Sequence, residues 1–349
     1  MAPPIKIVEN WSQEGIDKII DVRSPSEFNI DHIPGAINLP VLSDEEHEIV
    51  GRAHQHSHFD ARKIGAAFVA ANMSDHLNGP LLNQPSDFSP LIYCARGGQR
   101  SKAFAIVCAE IGWRCMVLEG GYKSYRKILQ RSLDEFSKQI KIIKIAGLTG
   151  TGKTEIIGEL SKQGRNVIDL EKLAHHRGSL LGAHPTQEQP SQKRFETLLF
   201  DHLKTLKPNQ PVFVEAESAK IGNIQIPHTL WRAMKNSPQV MISSNHYNRV
   251  LYLISNYTEL KQNPQILDRL FENFKKSGQS NLAQLCRDKL SAGDWESLAE
   301  ILLRSHYDKK YDRSIKYHKC HNILAIELDK LDYNNFSQAA RQISEKCLL

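Results

Sequence analysis

The stretch GLTGTGKT, residues 147 to 154, constrains this chain more than any other. Gly147, four residues, Gly152, Lys153 and Thr154 match GxxxxGK[ST] in full. The apolar run KIIKIA lies ahead of it, and a helix is predicted over 153–162 behind it. A strand feeding such a loop into a helix aims backbone N–H groups at an anion, and the helix dipole adds to them. Gly147, Gly150 and Gly152 would let the backbone surround a diphosphate, Lys153 would balance its charge, and Thr154 could hold Mg²⁺. Asp169 closes the next predicted strand, NVIDL, and Glu215 closes PVFVEAES. Either could be the second acid of a metal shell, with Glu217 competing. The motif specifies a diphosphate and leaves open what is attached to it: an NTPase, a kinase and an enzyme expelling pyrophosphate all fit. A plain glycine-rich turn is the bland alternative, and the strand and helix context argues against it.

A second anion cradle lies upstream, in LIYCARGGQRSKA (91–103). A short apolar strand delivers Cys94 to a loop of Arg96, Gly97, Gly98, Gln99 and Arg100, and a helix follows. Loop amides, the helix N-terminus and the two arginines are all expected to favour the thiolate. The alternative is a buried core cysteine, the reading preferred for Cys108 and Cys115. Cys94 to Arg100 is C-x5-R, the spacing of cysteine phosphatases, but a chalcogen carrier would use the same thiolate. The loop alone leaves both open.

The remaining periodicity alternates strands and helices. IDKIIDV (16–22), LIYC, RCMVLEGG (114–121) and RVLYLIS (249–255) read as strands. Residues 59–77, 101–112 and 122–139 read as helices, and the chain beyond about 258 as mostly helical and polar. The fold class is therefore α/β: a first α/β domain over 1–138, then a P-loop NTPase-like α/β domain over 139–349 with a helical C-terminal region. The length of 349 residues suits two domains. Six unpaired-looking cysteines indicate reduced thiols, and neither a signal peptide nor a membrane span is read, so a cytoplasmic protein is expected.

The net charge of +6 is unevenly spread. Cys94 to Arg131 carries eight Lys/Arg against Glu110 and Glu119, and Arg304 to Lys319 carries six against Asp308 and Asp312. Such patches suit a polyanion, or are solvated helix faces. Lys123, Arg126, Arg177 and Arg313 are candidate contacts for such a polyanion. Trp113, Tyr122 and Tyr125 could stack on an extruded base, with packing as the default. HQHSH (54–58) could suggest a metal, with a solvated loop as the preferred reading; no metal is expected in the protein alone.

The segment DVRSPSEFNIDHIPGAINLP (21–40) resembles the signature of rhodanese domains over roughly residues 5–130. The resemblance implies that Asp21, Arg23 and Glu27 brace the sheet and the cysteine loop, and that Cys94 is catalytic. This loop is a residue longer than in many rhodaneses, which would admit a larger anion than thiosulfate.

With YCARGGQRSKAFA, LEGGYKSYR, GLTGTGKTE, HRGSLLG (176–182) and PSQKRFE (190–196), nearly the whole chain resembles the bacterial tRNA 2-selenouridine synthases. The resemblance implies a tRNA bearing 2-thiouridine at the wobble position as partner, and geranyl diphosphate and selenophosphate as substrates. The sulfur would first be S-geranylated, and the S-geranyl group would then be replaced by selenium. No tightly bound cofactor is implied, and Mg²⁺ could join the phosphate loop. Two other readings compete: a sulfurtransferase or cysteine phosphatase fused to a kinase-like nucleotide-binding domain, and a non-catalytic module with a vestigial phosphate loop.

Overall fold

The computed structural model describes residues 2–12, 14–176, 188–216, 218–256, 258–309 and 321–347. Two compact units divide the chain, Met1–Ser132 and Leu133–Leu349.

The first unit is built on five parallel strands: β1 (Lys6–Val8), β2 (Lys18–Asp21), β3 (Ala36–Asn38), β4 (Pro90–Tyr93) and β5 (Met116–Leu118), in the order β1-β5-β4-β2-β3. All four residues of β4 are buried, as expected of a central parallel strand covered on both faces. Its helices are α1 (Pro25–Ile30), α2 (Asp44–His56), α3 (His58–Asn78), α4 (Gln99–Ile111) and α5 (Gly121–Gln139), and the division between the units falls within α5. Ile20, Val22, Ile92, Phe104 and Val117 centre the core. Because the sheet is parallel, its carboxyl edge gathers the loops that can hold a ligand, and Cys94 emerges there directly after β4.

The second unit repeats the arrangement. Strands β6 (Ile142–Ala146), β7 (Asn166–Ile168), β8 (Val212–Glu215), β11 (Gln239–Ser244) and β12 (Asn322–Leu328) form a parallel sheet in the order β12-β11-β6-β8-β7. A two-stranded antiparallel ribbon, β9 (Lys220–Ile221) and β10 (Ile224–Gln225), stands apart. The helices are α6 (Lys153–Lys162), α7 (Leu170–Leu173), α8 (Gln192–Leu203), α9 (His228–Asn236), α10 (His246–Asn256), α11 (Thr258–Gln262), α12 (Ile266–Lys276), α13 (Ser280–Ser291), α14 (Trp295–Leu302) and α15 (Tyr333–Lys346). A π-helical turn, Leu303–Tyr307, extends α14. One core lies beneath the sheet around Ile145, Phe213, Ile242 and Ile343. A second, around Leu267, Phe271, Phe274 and Leu298, belongs to α11–α14.

Three expectations change. RVLYLIS lies in helix α10, not in a strand; Asn245 Oδ1 accepts from the Asn248 N–H at 2.8 Å and starts the helix there. The true strand, β11, lies just ahead of it. A short apolar run does not by itself separate strand from buried helix. The region beyond 258 is not helical throughout, because β12 returns to pair in parallel with β11. Its inward Leu324, Ile326 and Leu328 alternate with exposed Ile323, Ala325 and Glu327, a period of two that marks an edge strand with one face covered. HQHSH is not a loop: it spans the last turn of α2 and the start of α3, with His58 Nδ1 3.0 Å from His54 Nε2.

Candidate functional site

Cys94 is 3% exposed, at the floor of a loop that its own backbone curls around. The Gly98 N–H donates to its Sγ at 3.3 Å, and the Ser101 Oγ lies 3.2 Å away. Burial pushes the thiol up. The Ser101 hydroxyl and the backbone N–H groups of Arg96, Ser101 and Gly98 more than offset this, leaving Cys94 below its ordinary value. The loop amides act as expected, and the Ser101 hydroxyl joins them as the leading cause of the lowering. The Arg96 side chain is exposed, and Arg100 Nη1 pairs with Glu27 Oε2 at 2.8 Å. Burial opposes the charge on Glu27, but that hydrogen bond holds it below the usual carboxylate range. Gln99 is exposed and opens α4.

The cradle is held by backbone interlocking that only glycine permits. Gly97 has φ +62°, and a Cβ there would sit 2.8 Å from the Leu118 carbonyl oxygen. At Gly121, φ +57°, a Cβ would sit 2.2 Å from the Cys94 carbonyl oxygen and 2.5 Å from the Gly97 nitrogen. The first amides of α5 complete the contact, Tyr122 N–H to Cys94 O at 2.8 Å and Lys123 N–H to Ala95 O at 3.0 Å.

Beneath the loop lies a buried polar frame. Arg23 Nη2 meets Asp21 Oδ2 at 2.6 Å and the Asp31 carbonyl at 2.7 Å, and its guanidinium stacks on Tyr122 at 3.9 Å. Tyr122 donates to Asp31 Oδ2 at 2.7 Å, and Arg126 Nη1 stands 3.5 Å from the same oxygen. Asp21, Arg23 and Glu27 thus occupy bracing positions. Arg126 does not face solvent; it is 8% exposed and serves this frame, so its sequence-based assignment to tRNA contact is corrected. Trp113, Tyr122 and Tyr125 are buried too, with the Trp113 indole N–H on the Pro85 carbonyl at 3.0 Å, so none presents a stacking face. Lys123, whose backbone meets the loop, is exposed, as are Lys102, Lys127 and Arg131.

In the second unit β6 ends in the phosphate loop. Gly147, Gly150 and Gly152 adopt φ of +159°, +80° and +77°. A Cβ at Gly147 would lie 2.4 Å from the Ile242 carbonyl oxygen, so the loop passes hard against β11. Lys153 Nζ reaches the Leu148 carbonyl at 3.4 Å and Glu215 Oε1 at 3.5 Å. Thr154 Oγ1 donates to Glu215 Oε2 at 3.1 Å. Burial raises Glu215 above the usual carboxylate range, against the pull of Lys153 and the Thr154 hydroxyl; Asp169 adds to the rise. Asp169 itself caps α7, accepting from the Lys172 N–H at 2.8 Å. Hard oxygen donors around a buried carboxylate that is costly to charge fit Mg²⁺, which would draw its other ligands from water and phosphate. Among the described residues no cluster of three or more His, Cys, Asp or Glu is arranged to hold a metal, and that includes HQHSH.

Sequence reading missed Ser101 and Arg249. Arg249 is 2% exposed, donates from Nε to the Thr149 carbonyl at 2.9 Å and pairs with Asp308 at 2.7 Å, bracing the phosphate loop from α10. Arg177, Arg313 and Glu217 lie outside the described residues. Among the described residues no helix is long and apolar enough to cross a membrane.

Known proteins match both halves. The model for the tRNA 2-selenouridine synthase AAA domain matches residues 139–325, and that for the Rhodanese-like domain matches residues 5–128. A tRNA 2-selenouridine synthase of Nitrosomonas europaea is 35% identical over 248 residues, 68% of this chain and 63% of that protein. One from Hahella chejuensis is 32% identical over 293 residues, 81% of this chain and 76% of that protein. One from Pseudomonas syringae pv. syringae is 35% identical over 243 residues, 68% of this chain and 65% of that protein. The chain thus spans somewhat less than two thirds of the first and third of these relatives and about three quarters of the second.

Proposed function

The chain belongs to the tRNA 2-selenouridine synthase family, and from that premise we propose that it is a transferase converting wobble 2-thiouridine in tRNA to 2-selenouridine. The observation that carries this reading is the presence of two chemically different candidate anion sites in one chain: a cysteine of lowered pKa in an amide cradle, and a phosphate loop with an oxygen-donor set.

The two sites suit two half-reactions. In the first, the C2 sulfur attacks the allylic carbon of geranyl diphosphate, the C–O bond breaks, diphosphate leaves and the N3 proton of the base passes to solvent. Lys153 and the amides of the phosphate loop neutralise the departing charge. Thr154 and Glu215 would hold Mg²⁺, which supplies further charge neutralisation there when bound. In the second, selenium has the same oxidation level in selenophosphate and in the product, so no oxidant is needed. The Cys94 thiolate attacks phosphorus and the P–Se bond breaks. Selenide adds at C2, the C2–S bond breaks and geranyl thiol departs. Water then releases phosphate from the Cys94 sulfur. The Gly98 N–H and its neighbours hold the phosphate-like oxygens. Exposed Lys102, Lys123, Lys127 and Arg131 supply phosphate-backbone contacts to tRNA. A cytoplasmic location fits this chemistry.

The test supplies purified protein, Mg²⁺, geranyl diphosphate and selenophosphate to tRNA containing 2-thiouridine, with the nucleosides quantified by mass spectrometry. S-geranyl-2-thiouridine followed by 2-selenouridine is expected. Unchanged 2-thiouridine alongside turnover of ATP or GTP would instead support a kinase-like fusion.

A further inference from the structure

One arginine outside the interactions described above has no partner for its charge. Arg194 stands in the first turn of α8, within the segment PSQKRFE (190–196). Its Nη1 is buried and has no hydrogen-bond partner, and among the described residues no carboxylate pairs with its guanidinium. A guanidinium stays charged at any ordinary pH, so a buried N–H of it left unbonded is costly. Buried polar groups are rarely left so, and each exception calls for a cause.

Loose construction is not the cause. The Ser191 Oγ accepts from the Arg194 N–H at 3.0 Å and caps α8. Gln192 exchanges hydrogen bonds with the Gln225 backbone of β10 in both directions, each at 2.8 Å. Gln189 donates to the Ala174 and Ile221 carbonyls at 3.1 Å and accepts from the Asn223 N–H at 2.7 Å. The turn that carries Arg194 is thus fastened to the end of α7 and to the ribbon.

The course of α8 places that turn. Just beyond its C-terminus the Lys207 N–H donates to Asn166 Oδ1 at 2.8 Å, where β7 begins. Its start meets α7, which follows the carboxyl end of β7. Asp169, the cap of α7, lies close enough for its charge to act on Glu215. Arg194 therefore stands at the same carboxyl edge as Lys153, Thr154 and Glu215, the edge where α/β sheets take their ligands. The phosphate loop there is short of positive charge. Lys153 is its single cationic residue, and the Nζ already lies 3.5 Å from Glu215 Oε1. A diphosphate carries more negative charge than one shared ammonium matches, and a guanidinium fork suits its paired oxygens. A nucleic-acid backbone is met by exposed side chains, whereas a buried N–H suits a small anion that enters the fold.

We infer that Arg194 is a second diphosphate ligand, reaching from α8 to the anion that the phosphate loop holds and neutralising charge as diphosphate leaves. This rests on the proposed geranyl transfer and deepens it by adding a cation that the loop motif does not contain.

Thermal melting and calorimetric titration of the full chain with Mg²⁺ and inorganic diphosphate test it, for wild-type protein, Arg194→Met and Arg194→Lys. Without ligand, Arg194→Met should melt at or above the wild-type temperature, because the buried charge has no partner to lose. It should bind inorganic diphosphate about tenfold or more weakly. Arg194→Lys keeps the charge and loses the fork, so its affinity should fall between the two. Affinity for tRNA without diphosphate, carried by exposed cations, should stay within about twofold in both variants. A ligand-free Arg194→Met that melts well below wild-type protein would mark a structural cation and overturn the inference. If wild-type protein and both variants bind inorganic diphosphate equally well, Arg194 is no ligand, while the transfer reading stands. Weakened tRNA binding with diphosphate binding intact would give the cation to the RNA and overturn the inference as well. If wild-type protein binds no diphosphate, the transfer reading falls and the role of Arg194 falls with it.

Discussion

Thr154 Oγ1 donates to Glu215 Oε2 across 3.1 Å, tying the residue that closes the phosphate loop to the last residue of the adjacent strand. The register prepares this meeting, since Ile145 near the end of β6 stands opposite Glu215 on β8. Glu215 is buried and its pKa is raised, so a proton would compete with Mg²⁺ for it as pH falls. With inorganic diphosphate present, Mg²⁺ should raise the melting temperature more at pH 8 than at pH 5.5. The sign follows from the raised pKa: the protonated form persists to higher pH in the folded state and competes with the metal below it. Glu215→Gln should remove the Mg²⁺-dependent increment and slow S-geranylation by about 100-fold or more. A full increment in the Gln variant would show that the metal binds elsewhere.

The second prediction concerns Ser101, which acts on Cys94 through the Sγ–Oγ contact at 3.2 Å. Its hydroxyl is the largest of the influences that lower the thiol pKa. Ser101→Ala should therefore shift the pH midpoint of iodoacetamide alkylation at Cys94 upward and slow alkylation at pH 7, while Arg96→Ala should leave the midpoint nearly in place. An Arg96 effect larger than the Ser101 effect would restore the guanidinium as the main cause.

Third, the basic residues of α5 should separate into two kinds. Arg126 is 8% exposed beside Asp31, so Arg126→Glu should destabilise the fold by about 3 kcal/mol or more, because it leaves buried acids facing one another. Lys123, whose backbone meets the cysteine loop, is exposed, so Lys123→Glu should leave the melting temperature within a few degrees and weaken tRNA binding. The wild-type affinity should fall steeply between low and physiological salt. Equal losses of stability in the two variants would contradict this division.

That contrast shows where the sequence was legible. The phosphate loop could be read in advance because its backbone conformation is written in the spacing of Gly147, Gly150 and Gly152. Cys94 could be read because a glycine-rich turn directly follows a buried strand. Arg126 could not, because its partner Asp31 is 95 positions away in the chain and charge says nothing of exposure. Ser101 looked like an ordinary helical residue, and its role exists only because the loop folds back over Cys94. Arg249 was placed in a strand, and only the helix set by Asn245 aims it at Thr149. The alternation in β12 was present in the sequence but overlooked amid polar neighbours.

The fourth prediction is that the two half-reactions separate by residue. Expelling diphosphate from an allylic carbon requires charge neutralisation at oxygen and no nucleophilic side chain. Lys153, Thr154 and Glu215, which lie in mutual contact, would serve that role in the proposed reaction. Opening a P–Se bond requires a nucleophile and amides for a smaller anion, as Cys94 and the Gly98 N–H provide. Cys94→Ser should therefore accumulate S-geranyl-2-thiouridine tRNA, because alkylation still runs and exchange does not. Lys153→Ala should lose geranylation by about 100-fold or more, yet still install selenium in tRNA supplied already geranylated. Each variant is to be given each substrate, the target nucleoside quantified, and folding confirmed by melting temperature. If Cys94→Ser also fails at geranylation with its fold intact, the thiolate acts in both steps. The chemical argument for two independent anion sites would then have to yield to a single coupled one.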